Sequence, residues 1–196
     1  MAFDLFNKDK VENKPYHGLA KYGCYEEKEM TFTLLLDPKL KKKEKEIGHF
    51  IHTLMSAAKQ LGVSLKIAKK TSDFHKKQPY DFFTSDTLSY DLKTVGDQFD
   101  TRVLAIIDRS NMDQAYHEIK KQFGGKEDLI TQLVNDDPAF FHDPLANKYK
   151  LYNILLGLFV KEGLQPWVLH TKLHSDCFIG LDVSHIDGKH SSGIIQ

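Results

Sequence analysis

A tyrosine and a lysine four residues apart form the first pair whose spacing could support chemistry. Tyr116 and Lys120 follow an apolar run, and a helix there would place both side chains on one face. The free N–H groups of a first helical turn favour an anion, the lysine adds a positive charge, and the ring offers a stacking surface. The pair could therefore hold a terminal phosphate and its base. Taken alone, it is better explained as part of a solvated amphipathic helix with a half-buried tyrosine.

Three polar residues further along the chain extend this pattern. Gln132 lies in the next predicted strand, where its amide can donate to phosphate oxygens. Lys161 ends the following predicted helix, and Asn153 lies two turns earlier and faces roughly the same way. A second lysine and two amides are the groups that a phosphate-binding site would add to the first pair.

Apolar runs and helical periodicity predict the elements that position these residues. Strands are predicted at Met30–Leu36, Val63–Ala68, Arg102–Ile107, Leu129–Val134, Gln165–Leu169 and Cys177–Ser184, and from Gly193 onwards. Helices are predicted at Lys41–Leu61, around 88–95, at Asn147–Glu162, and from a turn at Asp108–Asn111 to about Gln122. An acidic loop is predicted at Asp136–Asp143. Strands that alternate with helices predict an α/β fold with a mainly parallel sheet. Ligands of such sheets collect beyond the carboxyl ends of the strands, so the turn after Ile107 is the first expected ligand site.

Composition narrows the function classes. The formal net charge is zero and the pI is about 7.2, so no global basic field indicates a nucleic-acid partner, although a local basic pocket remains open. Arginine accounts for two of the 27 Lys and Arg residues, so bidentate arginine recognition is not the main device. The two cysteines lie far apart, which is typical of a reducing compartment. No apolar run has the length of a signal peptide or membrane span, and a cytoplasmic protein without a membrane partner is predicted.

The order of these motifs resembles that of a known family. Tyr-x3-Lys, then Ile-Thr-Gln, then Asn-x7-Lys-x-Gly-x2-Pro-Trp-Val-Leu resembles the MID domain of Argonaute and Piwi proteins, the prokaryotic ones above all. In that family the tyrosine stacks on the first base of a guide strand, and two lysines and the glutamine bind its 5′ phosphate. The resemblance implies these roles for Tyr116, Lys120, Gln132 and Lys161. It implies for Asn153 a contact near the first nucleotide.

The segments on either side of this region extend the resemblance to roughly residues 18–196. Lys21–Tyr25 looks like the start of this half of the family, and Phe178–His185 looks like the opening strand of its RNase H-like Piwi domain. Asp182 then takes the position of the first catalytic, metal-binding carboxylate, which implies Mg²⁺ or Mn²⁺. The implied organisation is an N-terminal arm at 1–29, a Rossmann-like MID domain at 30–170, and the incomplete start of a Piwi domain at 171–196.

Two departures from the family pattern affect the implied pocket. Eukaryotic members often carry another lysine one turn before the Lys161 position, where this chain has Gly157. Phosphate binding would then rest on fewer charges, helped by Mg²⁺ as in some prokaryotic relatives. That ion is held partly by the family's C-terminal carboxylate, which this sequence does not contain, so we expect an incomplete pocket in the isolated chain.

The resemblance implies that the chain anchors the 5′-phosphorylated end of a single-stranded RNA or DNA guide, for recognition of a target nucleic acid in gene silencing or prokaryotic defence. One alternative is half of a split or truncated guide-directed endonuclease, in which a second chain supplies the rest of the Piwi domain. Asp182 alone does not hold two metal ions, so the chain by itself is not expected to cleave. Another alternative is a non-catalytic module that binds a protein.

Overall fold

A computed structural model of the chain describes residues 4–67, 102–113, 116–117, 130–171, 180–186 and 189–195. The strands are β1 (Asp4–Phe6), β2 (Lys10–Glu12), β3 (Lys28–Leu36), β4 (Val63–Ile67), β5 (Arg102–Ile107), β6 (Ile130–Asn135), β7 (Val168–Leu169), β8 (Gly180–Ile186) and β9 (Lys189–Ile195). The helices with described bounds are α1 (Pro15–Tyr22), α2 (Glu44–Gln60), α3 (Pro138–His142) and α4 (Lys148–Lys161). Residues 112–113 and 116–117 are also helical. Lys120 and the helix predicted around 88–95 lie outside the described residues.

Four strands form a parallel sheet. Their order is β4-β3-β5-β6, and each neighbouring pair is parallel. β5 is apolar and buried from Val103 to Ile107, as expected of a strand covered on both faces. Helices α2 and α4 contact β4 and β6 respectively. The predicted α/β class with a mainly parallel sheet is therefore confirmed.

The two long helices form where apolar periodicity predicts them. In α2, Phe50 and Leu54 are fully buried, and Gly62 follows the helix end with a φ of +85°, which glycine adopts without strain. In α4, the Asn147 side chain accepts a hydrogen bond from the Lys150 N–H at 3.1 Å and so caps the first turn. Among the described residues, no helix is both long and apolar enough to cross a membrane.

The acidic segment predicted as a loop, Asp136–Asp143, is mostly helical. It contains α3, and a short 3-10 turn follows. The Asp137 side chain accepts from the Phe140 N–H at 3.3 Å, and that of Asp143 accepts from the Ala146 N–H at 3.1 Å. Each aspartate therefore caps a turn whose first residue is proline. The loop prediction was wrong because Asp-Pro begins helices as well as loops.

The segment predicted as an N-terminal arm carries β1, β2 and α1. β1 pairs antiparallel with both β2 and β7. Phe6 is fully buried, and an ideal Cβ on Gly18 would lie 2.2 Å from its ring, so glycine is needed for α1 to approach this closely. Phe6 and Leu19 belong to the same hydrophobic core as the residues of α2 and α4.

The last two strands form an antiparallel hairpin. β8 begins at Gly180 and β9 at Lys189, and Asp182 of β8 lies opposite Gly193 of β9. Strands were predicted at Cys177–Ser184 and from Gly193, so the observed strands overlap the predicted ones with shifted bounds.

Candidate functional site

The end of α4 and the start of β6 meet at a lysine. Lys161 is the last residue of α4. Its Nζ donates to the backbone oxygen of Thr131 at 2.7 Å and to Oε1 of Gln132 at 2.8 Å. Both acceptors are uncharged oxygens, and the two hydrogen bonds orient the ammonium group. Two residues singled out in the sequence, Gln132 and Lys161, are therefore in direct contact.

A glycine on α4 makes room for the Gln132 side chain. An ideal Cβ at Gly157 would lie 2.6 Å from Gln132 Oε1, so a longer side chain there would displace the amide. The amide also donates from Nε2 to the backbone oxygen of Leu133 at 3.3 Å. Gly157 thus leaves room for the Gln132 amide, whose oxygen accepts a hydrogen bond from Lys161.

The acidic residue next to Lys161 is paired inside the fold. The side chain of Glu162 is 4% exposed and pairs with Arg102, the first residue of β5, and with Lys28, the first residue of β3, at 3.8 Å. Lys28 Nζ also donates to the Glu162 backbone oxygen at 2.9 Å. These pairs compensate the buried carboxylate. Lys28 and Arg102 are thus ion-paired with Glu162 at the amino-terminal end of the sheet, next to Lys161.

The carboxyl ends of the same strands carry aspartates. Asp37, Asp108 and Asp136 directly follow β3, β5 and β6. Asp37 accepts a hydrogen bond from the Asp108 N–H at 3.2 Å, and Asp136 pairs with Lys43. Ligands of parallel sheets usually collect at this end, and the turn after Ile107 lies here. The carboxylates are accompanied by lysines, because Lys43 pairs with Asp136 and Lys39 donates to Ser110.

Asn153 lies apart from the Lys161–Gln132 contact. The hydroxyl of Tyr16, on α1, donates to its Oδ1. The Tyr16 ring meets that of Tyr149 edge-to-face, with centroids 5.4 Å apart. Asn153 precedes Lys161 by eight residues, which is about 12 Å of α-helix. A ligand that touches both residues must therefore be closer in size to a nucleotide than to a single phosphate.

The tyrosine of the first predicted pair follows a capped turn. The Asp108 side chain accepts from the Ser110 N–H at 2.9 Å and so orders the start of this segment. Tyr116 is 44% exposed, which suits a stacking surface, and its ring lies 5.8 Å from that of His117. Its predicted partner Lys120 lies outside the described residues.

Sequence reasoning missed two contributors to these contacts. Tyr16 lies 137 positions from Asn153 in the chain, and no spacing pattern connects them. The acceptor on Thr131 is a backbone oxygen, which every residue has. Both contributions depend on which elements pack together, so no signal in the sequence could have indicated them.

The described residues offer no cluster of three or more His, Cys, Asp or Glu side chains that could hold a metal ion. At Lys161 and Gln132 the donor set is an ammonium group and an amide, which does not suit Mg²⁺ or Mn²⁺ without further carboxylates. Asp182 is placed by its backbone in β8. The Mg²⁺ or Mn²⁺ site implied by the resemblance stays a prediction.

Comparison with known proteins gives matches among solved structures. No protein-family model matches the sequence, and no curated protein matches it. The Argonaute protein of Methanocaldcoccus janaschii matches with a TM-score of 0.63 and 14% identity over 92% of this chain. The Argonaute of Marinitoga piezophila, in complex with 5′ OH guide RNA and target DNA, matches with a TM-score of 0.61 and 18% identity over 98% of this chain. The chain spans 28% and 30% of those two proteins, and at such identities the likeness establishes the fold.

Proposed function

We propose that this chain binds the 5′ end of a single-stranded guide nucleic acid, as the MID portion of an Argonaute-type protein, and that it recognises a 5′ phosphate there. The observation that carries the proposal is the contact of Lys161 with Gln132 at the start of β6, at 2.8 Å. A lysine and an amide from different elements meet at the amino-terminal end of the sheet. Such a group is suited to a terminal phosphate.

The structural neighbours support the class of ligand. Two solved structures that share this fold contain guide DNA and guide RNA, the latter with target DNA. The residue types that contact each other here stand in the order of the Argonaute motifs. We therefore assign single-stranded guide RNA or DNA as the partner of this chain, with a target nucleic acid paired to it.

The second lysine of the motif lies in the connection between β5 and β6. β5 and β6 are parallel, with Ile107 opposite Asn135 and Arg102 opposite Ile130, so the chain between them returns from one end of the sheet to the other. Lys120 belongs to this connection. The proposal assigns it, with Lys161, to the phosphate. Tyr116, earlier in the connection and exposed, is assigned to stacking on the first base.

The experiment must decide whether the chain prefers a guide strand with a 5′ phosphate or one with a 5′ hydroxyl. The Marinitoga piezophila structures contain a guide with a 5′ hydroxyl, so fold likeness does not select phosphate over hydroxyl. The charge of Lys161 does favour phosphate, because a hydrogen bond to a charged group is worth about 1.5–3 kcal/mol, or roughly a 10- to 150-fold change in affinity.

The test measures the affinity of the full chain for one 3′-labelled oligonucleotide that carries either a 5′ phosphate or a 5′ hydroxyl, as RNA and as DNA. Fluorescence anisotropy at two salt concentrations gives the dissociation constants. We expect the phosphorylated strand to bind at least about tenfold more tightly. Equal affinity, or tighter binding of the hydroxyl form, would refute phosphate recognition. Binding of neither strand would refute guide binding and favour the protein-interaction alternative.

Asp182 is assigned to a nuclease site only within an assembly that supplies further carboxylates, because a two-metal site needs several of them. The antiparallel hairpin of β8 and β9 is compatible with the start of an RNase H-like sheet. The activity of such an assembly is a separate proposal from guide binding by this chain.

A further inference from the structure

Helix α1 reaches across to α4 through one side chain. Tyr16 is half-buried, and its hydroxyl donates to Oδ1 of Asn153. Its ring packs edge-to-face on Tyr149, one turn earlier on α4, at an interplanar angle of 80°. An aromatic contact of this geometry is favourable in itself. Tyr16 therefore makes both a ring contact and a hydroxyl contact with α4.

The position of Tyr16 is held from the other side of α1. Gly18 lies directly against the buried ring of Phe6, and the strand that carries Phe6 pairs with β7. Pro15 occupies the first position of α1 and restricts its backbone. Tyr16 is thus anchored to the core through its own helix, and its hydroxyl can fix the exposed amide of Asn153.

The hydrogen bond decides which atoms of Asn153 are offered to a ligand. An asparagine amide has an oxygen that accepts and an NH₂ group with two donors. With Oδ1 held by the Tyr16 hydroxyl, the amide plane is fixed and the NH₂ group is directed away from that hydroxyl. Phosphate, sugar and base oxygens of a nucleic acid are acceptors, so this orientation suits them.

We infer that Tyr16 is a positioning residue for nucleic-acid binding. It orients the Asn153 amide so that its NH₂ group can donate to the guide strand at a point past the 5′-terminal phosphate or hydroxyl. The inference rests on the proposed function. Because Asn153 and Lys161 are about 12 Å apart along α4, the two residues contact different parts of the strand. Tyr16 and Asn153 then contribute to affinity for any guide, whereas Lys161 contributes to the preference for a 5′ phosphate.

The test is a double-mutant cycle with Tyr16→Phe, Asn153→Ala and the double variant. Tyr16→Phe keeps the ring on Tyr149 and removes the hydroxyl alone. Tyr149→Phe is the matched control, because the Tyr149 side chain is 68% exposed and its hydroxyl makes no hydrogen bond within the described part of the chain. Dissociation constants are measured for 5′-phosphate and 5′-hydroxyl strands, and melting temperatures confirm that each variant is folded.

We expect each single variant to weaken binding of both strands by about three- to tenfold, and the double variant to lose no more than either single one. The ratio of the two affinities should stay at the wild-type value, a result that a general loss of structure at the phosphate pocket would not give. Tyr149→Phe should bind like the wild type.

Two outcomes separate the inference from the proposed function. If the wild type binds guide strands and Tyr16→Phe binds equally well, or if the losses of the two single variants add, the positioning role is refuted while guide binding stands. If the wild type binds no strand, the proposed function fails and the inference fails with it. A change of phosphate preference in Tyr16→Phe would also overturn the inference, because it would place the contact at the terminal phosphate.

Discussion

Replacing Lys161 by methionine tests the centre of the candidate site. Lys161→Met keeps most of the aliphatic stem and removes the ammonium group that donates to the Thr131 backbone oxygen and to Gln132 Oε1 at 2.7 and 2.8 Å. If that group also binds the 5′ phosphate, its loss removes a charge-assisted contact of about 1.5–3 kcal/mol. Affinity for a phosphorylated strand should then fall roughly 10- to 150-fold, while affinity for the hydroxyl strand should change little.

The assay compares both strands over a range of salt concentrations. Each phosphate charge that a protein neutralises on a single strand contributes about 0.7 to the slope of log affinity against log salt. Lys161→Met should therefore reduce the slope for the phosphorylated strand by about 0.7. Stability should change by less than about 1.5 kcal/mol, because the Lys161 side chain is exposed and water can replace its hydrogen bonds.

Lys148→Met is the matched control, since Lys148 is an exposed lysine at the first position of the same helix. It should leave the preference for phosphate unchanged. The assignment of Lys161 is wrong if its variant loses affinity equally for both strands, or if the control variant loses the same preference. A folded Lys161→Met protein that still prefers phosphate by the wild-type factor would also refute it.

Three other predictions follow from the same contacts. Tyr116→Ala should cost about 1–3 kcal/mol of binding free energy from base stacking and keep part of the preference for a 5′ phosphate. Lys120→Ala should remove most of that preference. Equal losses for the two variants in anisotropy titrations would contradict these separate roles. Asp182→Ala should leave guide binding nearly unchanged, and a cleavage assay should detect no metal-dependent activity of this chain, with or without the substitution. Lys150, at 2.6 Å, lowers the pKa of Asp137 below its ordinary 3.8, so the pair stabilises the fold above about pH 4 and stops doing so as pH falls through the lowered pKa. Asp137→Asn should reduce the fall in the free energy of unfolding at acid pH, measured by urea unfolding at several pH values. An unchanged dependence of that free energy on pH would contradict the prediction.

The distribution of charge bears on how much of a nucleic-acid strand this chain could contact. Lys28 and Arg102 pair with Glu162 at one end of the sheet, and Asp136 pairs with Lys43 at the other. The net charge of the chain is zero, so Lys161 would act as a local cation and not as part of a broad basic surface. A local cationic site on a neutral chain agrees with recognition of one strand end, because a protein that tracks a long backbone needs many more phosphate contacts.

The regular elements could be predicted from local patterns in the sequence. β5 was predicted with its observed bounds, Arg102–Ile107, and α4 within one residue at each end. Hydrophobic periodicity is a local property of the sequence. It shows which face of a helix or strand is buried, but not which element packs against that face. Asp-Pro was ambiguous by the same local criteria, which is why Asp136–Asp143 was predicted as a loop.

The candidate site was predicted only as a set of residue types. Their order indicated Gln132, Asn153 and Lys161, but not that Lys161 reaches Gln132 while Asn153 is held by Tyr16. Those contacts join residues 29 and 137 positions apart in the chain, and they exist because α4 packs on β6 and the Tyr16 side chain of α1 reaches α4. The sequence by itself determined which residues could bind an anion. Tertiary packing decided which of them meet, because a side-chain contact depends on the distance and angle between elements that no local pattern encodes.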